Sequence, residues 1–422
     1  MKKKLLFTIQ LLTITFVCSA QSADQLTLSD CYKLALQNYP QVKQRDLIAK
    51  TAEYTIENIQ KGYLPQLNIN GQASYQSAVT EIPIKIPGVN IPALSKDQYK
   101  LYGEFDQVVY DGGAIKQQKQ LQKTNEAVSQ QQLETDLYQL KDRINQLFFG
   151  VLLLDAQLKQ NELAIKDIQL GSDKVSAQIK NGTAFRSNGD VLRAELLQNK
   201  QQSINLLASR RAYTDMLGFF IGRTVDGTTI LVTPQPVDTS HQINRPELRV
   251  YDEQKKNLDV QNKLLTVQTL PKLNLFLQGG VARPGLDLLS NNFASYYIGG
   301  VKLSWSPSAF YTLKKSRELI DINRKNLDVE KETFLFNTNL TVKQQDGDIG
   351  KYRQLLISDD EIIGLRTRVK TTALAQLENG VITTNDFLTD VNDENQARQN
   401  KILHEIQLLM TQYNQQTTTG NQ

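Results

Sequence analysis

Gly62-Tyr63-Leu64-Pro65-Gln66-Leu67-Asn68-Ile69-Asn70 and Gln268-Thr269-Leu270-Pro271-Lys272-Leu273-Asn274-Leu275-Phe276 are two versions of one pattern. Each Leu-Pro-x-Leu-Asn opens a short alternating stretch. A second such stretch follows, then a long proline-free run, then Asn-Gly and a further helical pattern. A repeat of this kind outranks any local motif, because it sets the architecture of the whole chain. The chain reads as two related halves, each mixing a β-hairpin with very long helix.

The alternation is the signature of strands with one apolar and one wet face. In residues 64–76, Leu67, Ile69, Gly71, Ala73 and Tyr75 point one way, and Gln66, Asn68, Asn70, Gln72, Ser74 and Gln76 the other. A loop with Pro83, Pro87, Gly88 and Pro92 leads to residues 98–110, with Leu101, Gly103, Phe105 and Val109 on one side. Residues 271–282 and 294–306 repeat the arrangement. The proline-free runs extend from Ala114 to Lys180 and from Phe310 to Asn379. Each would be roughly 100 Å long if unbroken. Gly150, Gly347 and Gly350 are candidate weak points in them. Asn181-Gly182 and Asn379-Gly380 are fitting helix stops, and helices return over about 190–220 and 386–413. Before the first hairpin, Ser29 is a candidate N-cap for a helix reaching Lys61, with a kink or break at Pro40.

Composition agrees with an extended molecule. Of the 422 residues 40% are hydrophobic and Trp occurs once, less apolar than an ordinary globule. Lys2, Lys3 and Lys4 followed by the apolar run Leu5 to Val17 read as a secretory signal, with cleavage expected after Ala20. Lipidation at Cys18 is the rival reading, and Val17 is a poor residue to precede it. Loss of the three lysines lowers the net charge from +4 to +1. No basic cluster is interleaved with aromatics, so nucleic acid is not an expected partner. Cys31 is then the only cysteine, which excludes an intramolecular disulfide. His241 and His404 have no metal-ligand spacing and read as plain surface residues, and Asp346-Gly347-Asp348 lacks the rest of a calcium loop. No nucleophile elbow, P-loop or dinucleotide fingerprint is present. No enzyme, metal or cofactor is expected.

Four strands of this length can cross a bilayer when tilted, but they cannot close a barrel, whose known minimum is about eight. An open sheet edge in lipid leaves backbone groups without partners. Several copies must share one barrel, and a wet lumen favours three over two, since an eight-stranded barrel is filled by its own side chains. Tyr63, Tyr75, Tyr99, Tyr110, Tyr296, Tyr297 and Trp305 lie in or near the strands, where interfacial girdles belong. The stripe Ile144, Leu147, Phe148, Val151, Leu154 and Leu158 suits either coiled-coil neighbours around a wet interior or a solid bundle core.

The chain resembles the TolC-like family of outer-membrane efflux proteins over essentially its whole mature length. The resemblance is carried by Leu26-Thr27-Leu28-Ser29-Asp30-Cys31-Tyr32-Lys33-Leu34-Ala35-Leu36-Gln37-Asn38-Tyr39-Pro40, Leu64-Pro65-Gln66-Leu67, Tyr110-Asp111-Gly112-Gly113 and the two Asn-Gly helix ends. Cys31 and Tyr39 stand where the family usually has Ala and Asn, and Pro307-Ser308-Ala309 replaces the second Asp-Gly-Gly. The resemblance implies a mixed α and β fold: a homotrimer whose twelve strands form a transmembrane β-barrel, continued by a long-helix periplasmic α-barrel. It implies a duct for efflux or type I secretion in the outer membrane, with a periplasmic adaptor (membrane fusion) protein and an inner-membrane pump of the RND or ABC type as partners. Asn181, Gly182, Thr183, Asn379, Gly380 and Val381 would then form the periplasmic tips that meet the adaptor. Asp386, six residues after Gly380, keeps the family's spacing for an acidic constriction, and Asp390 follows one turn later. Asp190 is eight residues after Gly182, and Ser187-Asn188-Gly189 suggests a longer first turn. Alternatively Asp190 and Asp386 cap the returning helices.

The expected organisation is a signal peptide over 1–20, a first repeat over 21–222 (hairpin 64–110, helical hairpin 112–222), a linker over 223–246, a second repeat over 247–414 (hairpin 271–306, helical hairpin 310–414) and a disordered tail over 415–422. The competing function is a secreted coiled-coil scaffold without channel activity.

Overall fold

The computed structural model describes residues 25–80, 93–238, 240–287 and 290–421. The expected signal peptide, Cys18, and Pro83, Pro87, Gly88 and Pro92 lie outside these residues. Among the described residues the elements run, in order, β1 (Gln25–Leu26), α1 (Leu28–Asn38), α2 (Gln44–Gln60), β2 (Gln66–Tyr75), β3 (Asp97–Tyr110), α3 (Ala114–Tyr138), α4 (Leu140–Lys180), α5 (Arg186–Ile221), β4 (Ile230–Leu231), α6 (Glu247–Val267), β5 (Lys272–Arg283), β6 (Ala294–Ser304), α7 (Ala309–Glu378) and α8 (Thr384–Thr419). They divide between two compact units that do not follow the sequence halves. One draws on the segment ending at Tyr39, Lys141–Asp238 and Gly347–Asn414, the other on Pro40–Leu140, Thr239–Asp346 and the segment from Gln415.

In the second unit β2, β3, β5 and β6 form one antiparallel sheet in that order. The register aligns whole rows on one face: Leu67 pairs with Phe105, Phe105 with Leu277, and Leu277 with Gly299. On the other face Asn68 pairs with Glu104 and Glu104 with Gln278. The apolar face is uncovered: Leu67, Ile69, Leu101, Phe105, Leu277, Val301 and Leu303 are all exposed. Of the expected girdle aromatics, Tyr63, Tyr75, Tyr99, Tyr110, Tyr297 and Trp305 are exposed, whereas Tyr296 is buried. β2 and β6 are the outer strands, and each keeps one edge with no strand partner among the described residues. The same register gathers all four strand–helix junctions at one end of the sheet. Gly112 and Gly113 take φ of +70° and +87° there, and Asp111 accepts from the N–H groups of Gly113 (2.8 Å) and Ile115 (2.7 Å), which starts α3. At the equivalent junction Pro307 and Ser308 open α7 without glycine.

Several details differ from expectation. Thr27, not Ser29, caps α1: its hydroxyl accepts from the Asp30 N–H, and Asp30 reciprocates in a capping box. The first long helix is interrupted at Gln139 rather than at Gly150. A Cβ at Gly150 would lie 2.4 Å from the Tyr213 ring, so this glycine makes room for close helix packing and is no hinge. α7 runs unbroken for 70 residues, about 105 Å, and Gly347 and Gly350 face open space within it. Asp346-Gly347-Asp348 is helical, not a loop. The tail expected to be disordered is helical to Thr419. Polar bonds hold it in place: Gln415 donates to Asp346 (2.6 Å), the Tyr138 hydroxyl to the Thr417 carbonyl (2.8 Å), and the Asn244 N–H to the Thr419 carbonyl (2.6 Å). The linker holds β4, which pairs in parallel with β1.

In the first unit the predicted stripe is a packed core where it begins: Ile144, Leu147, Phe148 and Val151 are buried. Leu154 and Leu158 are only half-buried. Cys31 is buried, and burial pushes its thiol up to about 12, so it is not a nucleophile.

Candidate functional site: the two helix turns

Both Asn-Gly turns belong to the first unit, where α4, α5, α7 and α8 share a core of their own. Ile168 and Val175, Leu192, Ala373 and Leu377, and Phe387, Leu388 and Val391 are buried together. Gly171 admits the Phe387 ring, which a Cβ would meet at 2.4 Å.

The two turns have one backbone. Gly182 has φ +75° and Gly380 φ +69°, the left-handed conformation that glycine adopts without a Cβ penalty. The Gly182 N–H donates to the Ile179 carbonyl and the Thr183 N–H to the Gln178 carbonyl, at 3.1 and 2.9 Å. The Gly380 N–H donates to the Leu377 carbonyl and the Val381 N–H to the Gln376 carbonyl at the same distances. Each is a complete Schellman stop. The turns are also tied to each other: the Gln178 side chain donates to the carbonyls of Leu377 (2.8 Å) and Glu378 (3.2 Å), and Lys174 pairs with Glu378.

The first turn is no longer than the second. Both helix pairs are joined by five residues, Asn181 to Phe185 and Asn379 to Thr383, and Ser187, Asn188 and Gly189 are already helical. The difference lies in how the next helix begins. Thr383 is the N-cap of α8: its hydroxyl donates to the Asp386 carboxylate (2.7 Å), and its N–H does the same (3.0 Å). In return the Asp386 N–H donates to the Thr383 hydroxyl at 3.2 Å. The Thr383 hydroxyl thereby holds the Asp386 carboxyl below the usual aspartate range. At α5 the N-cap is Phe185, with no side-chain cap. Asp190 is exposed, five residues into α5, and does not cap it, while Asp390 is half-buried on α8. Asp386 is exposed and does cap its helix.

Sequence spacing gave no sign of the ionic cluster that joins three helices behind the turns. Glu394 on α8 is only 2% exposed, accepts from Thr367 (3.1 Å) and pairs with Arg398 and Lys370, and Lys370 also reaches Asp167 of α4 (2.6 Å). Burial pushes the Glu394 carboxyl up, but Arg398 and Lys370 outweigh it and hold it below the ordinary glutamate value. Of the two histidines, His241 is exposed as expected, whereas His404 is partly buried. His404 Nδ1 lies 2.6 Å from the buried Asp359 carboxylate, and His241 Nε2 lies 3.1 Å from Asp346. Among the described residues no three His, Cys, Asp or Glu side chains gather to hold a metal.

This architecture recurs in solved structures. CusC, crystallised in a study of folding and transmembrane channel formation, superposes with a TM-score of 0.66 over 94% of this chain and 92% of its own at 13% identity. The outer-membrane protein VceC of Vibrio cholerae gives 0.65 over 93% and 96% at 12% identity. The CmeC outer-membrane channel of Campylobacter jejuni gives 0.65 over 93% and 85% at 13% identity. The chain has the fold of these outer-membrane channels. The resemblance read from Leu-Pro-x-Leu and the Asn-Gly stops therefore holds at the level of fold, along nearly the whole chain. No protein-family model and no curated protein sequence matches it.

Proposed function

We propose that the chain is the outer-membrane duct of a tripartite efflux or type I secretion system in a Gram-negative bacterium. The observation that carries this is the four-stranded sheet, apolar and uncovered on one face, amide-rich and polar on the other, with two open edges. Such a sheet is stable in lipid only when its edges pair, and three copies supply twelve strands around a wet lumen. No helix among the described residues is long and apolar enough to cross a membrane. The likeness to CusC, VceC and CmeC supports the same reading.

On this reading the duct performs no chemistry. Substrates pass from an RND or ABC pump through an adaptor, which meets the turns at Asn181, Gly182 and Thr183 and at Asn379, Gly380 and Val381. Asp386, carried by the start of α8, forms an acidic ring with its copies and favours cations at the closed end. Asp390 and Asp190 stand on the same two helices. The capping bond does not exclude this role, because an ionised carboxylate can accept from Thr383 and still present its charge.

The test is membrane fractionation followed by planar-bilayer recording of the purified chain. Detergent-solubilised trimers that conduct are expected. A soluble oligomer without conductance would sink the proposal and favour the coiled-coil scaffold. In conducting trimers, Asp386→Ala should raise closed-state conductance or weaken cation selectivity, and unchanged values would leave Asp386 as a cap alone. Gly380→Trp should abolish pump-dependent export while trimers remain in the membrane.

A further inference from the structure

An open cavity of about 520 Å³ lies between α3, α6 and α7 in the second unit, a size that suits a small organic ligand. α3 contributes Asn125 to its lining, α6 Gln254 and Asn257, and α7 Asn323, Asn326 and Glu330. All of these but Glu330 are carboxamides, which both donate and accept hydrogen bonds. No lysine or arginine lines the cavity. Its floor is already built. Asn257 is 9% exposed, donates to the Thr124 hydroxyl (2.9 Å) and to Asn125 Oδ1 (2.6 Å), and accepts from Gln261 (2.7 Å). These bonds fix the Asn257 amide and leave the Asn125 amide nitrogen for a ligand. Gln254 Oε1 is buried with no hydrogen-bond partner, and an acceptor in that state is costly until a donor reaches it. The charges divide as well. Along the same stretch α6 and α7 are joined by the ion pairs Asp252–Lys331 (3.2 Å), Lys255–Asp328 and Asp259–Arg324. Glu330 stands outside this ladder and has no ion-pair partner among the described residues.

We propose that this cavity binds a small polyhydroxylated amine, of which an amino sugar is the simplest example. The ligand's hydroxyls pair with the carboxamides, each of which can meet neighbouring hydroxyls as donor and acceptor at once. One hydroxyl donates to Gln254 Oε1 and relieves the unpaired acceptor. The ammonium group pairs with Glu330. Leu258 and Leu327, which also line the cavity, offer an apolar wall to the C–H face of the ring. A plain alkyl diamine would leave the amides unused. An anion would meet Glu330 with no cation in the lining to offset it. The inference goes beyond the export-duct reading and does not rest on it, because the cavity lies within the helices of one copy.

The test is calorimetric titration of the full chain in detergent with glucosamine, glucose, glucuronate and cadaverine, in mildly acidic buffer that keeps the amines charged. Glucosamine should bind at least tenfold more tightly than glucose or cadaverine, and glucuronate should not bind measurably. Glu330→Gln should remove the advantage of glucosamine over glucose and leave glucose binding unchanged. Gln254→Leu should weaken both sugars at least threefold while keeping or raising thermal stability, since it deletes a buried acceptor that has no partner in the free chain. Asn326→Trp, a change at an exposed position on the rim, should block the cavity and abolish binding of both sugars. No binding of glucosamine, equal affinities for the three sugars, cadaverine binding as tightly as glucosamine, or an unchanged glucosamine preference in Glu330→Gln would each overturn the inference. Bilayer conductance of the same preparation keeps the two readings apart: a conducting trimer that fails to bind glucosamine removes only the cavity inference, whereas a chain that binds it without conducting removes only the duct.

Discussion

The first and second halves of the chain agree where backbone geometry decides and part where side-chain chemistry decides. Their hairpins lie in register in one sheet, and their helix turns share φ angles and hydrogen bonds. Yet one long helix is interrupted at Gln139 while its counterpart is continuous, and one returning helix is capped while the other is bare. The halves share a scaffold, and each turn presents its own surface.

The largest expected effect breaks the equivalence of the turns. Phe387 fills the space left by Gly171 and is fully buried, whereas its counterpart in the first turn is Gly189. Phe387→Ala should destabilise the helical unit by about 3–5 kcal/mol. Gly189→Ala adds a methyl 3.1 Å from the flexible end of Ile179 and should cost far less. Chemical denaturation of the two variants, compared side by side, checks this. Similar losses would mean that the turns are packed alike after all.

The next prediction tests equivalence in the hairpins. Leu67 and Leu277 occupy the same row of the sheet, both on the uncovered face, one from each half. On the duct reading Leu67→Arg and Leu277→Arg should both destabilise the barrel, by at most about 2–4 kcal/mol at the bilayer midplane and less toward either interface. Folding into vesicles of defined composition measures it. A strong loss at one position only would show that the two hairpins do not sit at one depth.

What could be read from the sequence follows the same division. Leu-Pro starts, period-two alternation and Asn-Gly stops act through their own backbone and nearest neighbours, so the strands, turns and long helices were legible. The position of the helix interruption was not, because whether Gly150 is a hinge or a packing site depends on Tyr213, 63 residues away. The Thr- and Gln-rich tail suggested disorder until its partners Asp346, Tyr138 and Asn244 were known. The Asp167–Lys370–Glu394 cluster joins positions some two hundred residues apart that no spacing rule connects. The contrast between Asn188 and Asp386 was available in the sequence, but only once the turns were known to be equally long.

A smaller effect should be shared by both turns. Each glycine holds a positive φ with open space where a Cβ would go, so the penalty is conformational and not steric crowding by neighbours. Gly182→Ala and Gly380→Ala should each cost about 1 kcal/mol, detectable as equal shifts in denaturation midpoint. Unequal shifts would indicate that one turn is additionally constrained, for which the Gln178 bonds to Leu377 and Glu378 are the candidates.

The smallest effect is a pH dependence confined to one turn. The Thr383 hydroxyl depresses the Asp386 pKa in the folded chain. A depressed carboxyl binds fewer protons folded than unfolded, so its contribution is complete above the unfolded aspartate value of about 3.9 and is lost as pH falls through the lower folded value. Amide exchange at the start of α8 should therefore quicken, relative to the intrinsic rate, as the solution is acidified below that value. Over the same range the start of α5, which has no side-chain cap, should show no such change. Thr383→Ala should flatten the α8 response, and Phe185→Thr with Asn188→Asp should transplant it to α5. A pH response at α5 in the unmodified chain would mean that a carboxylate reaches that helix start in solution.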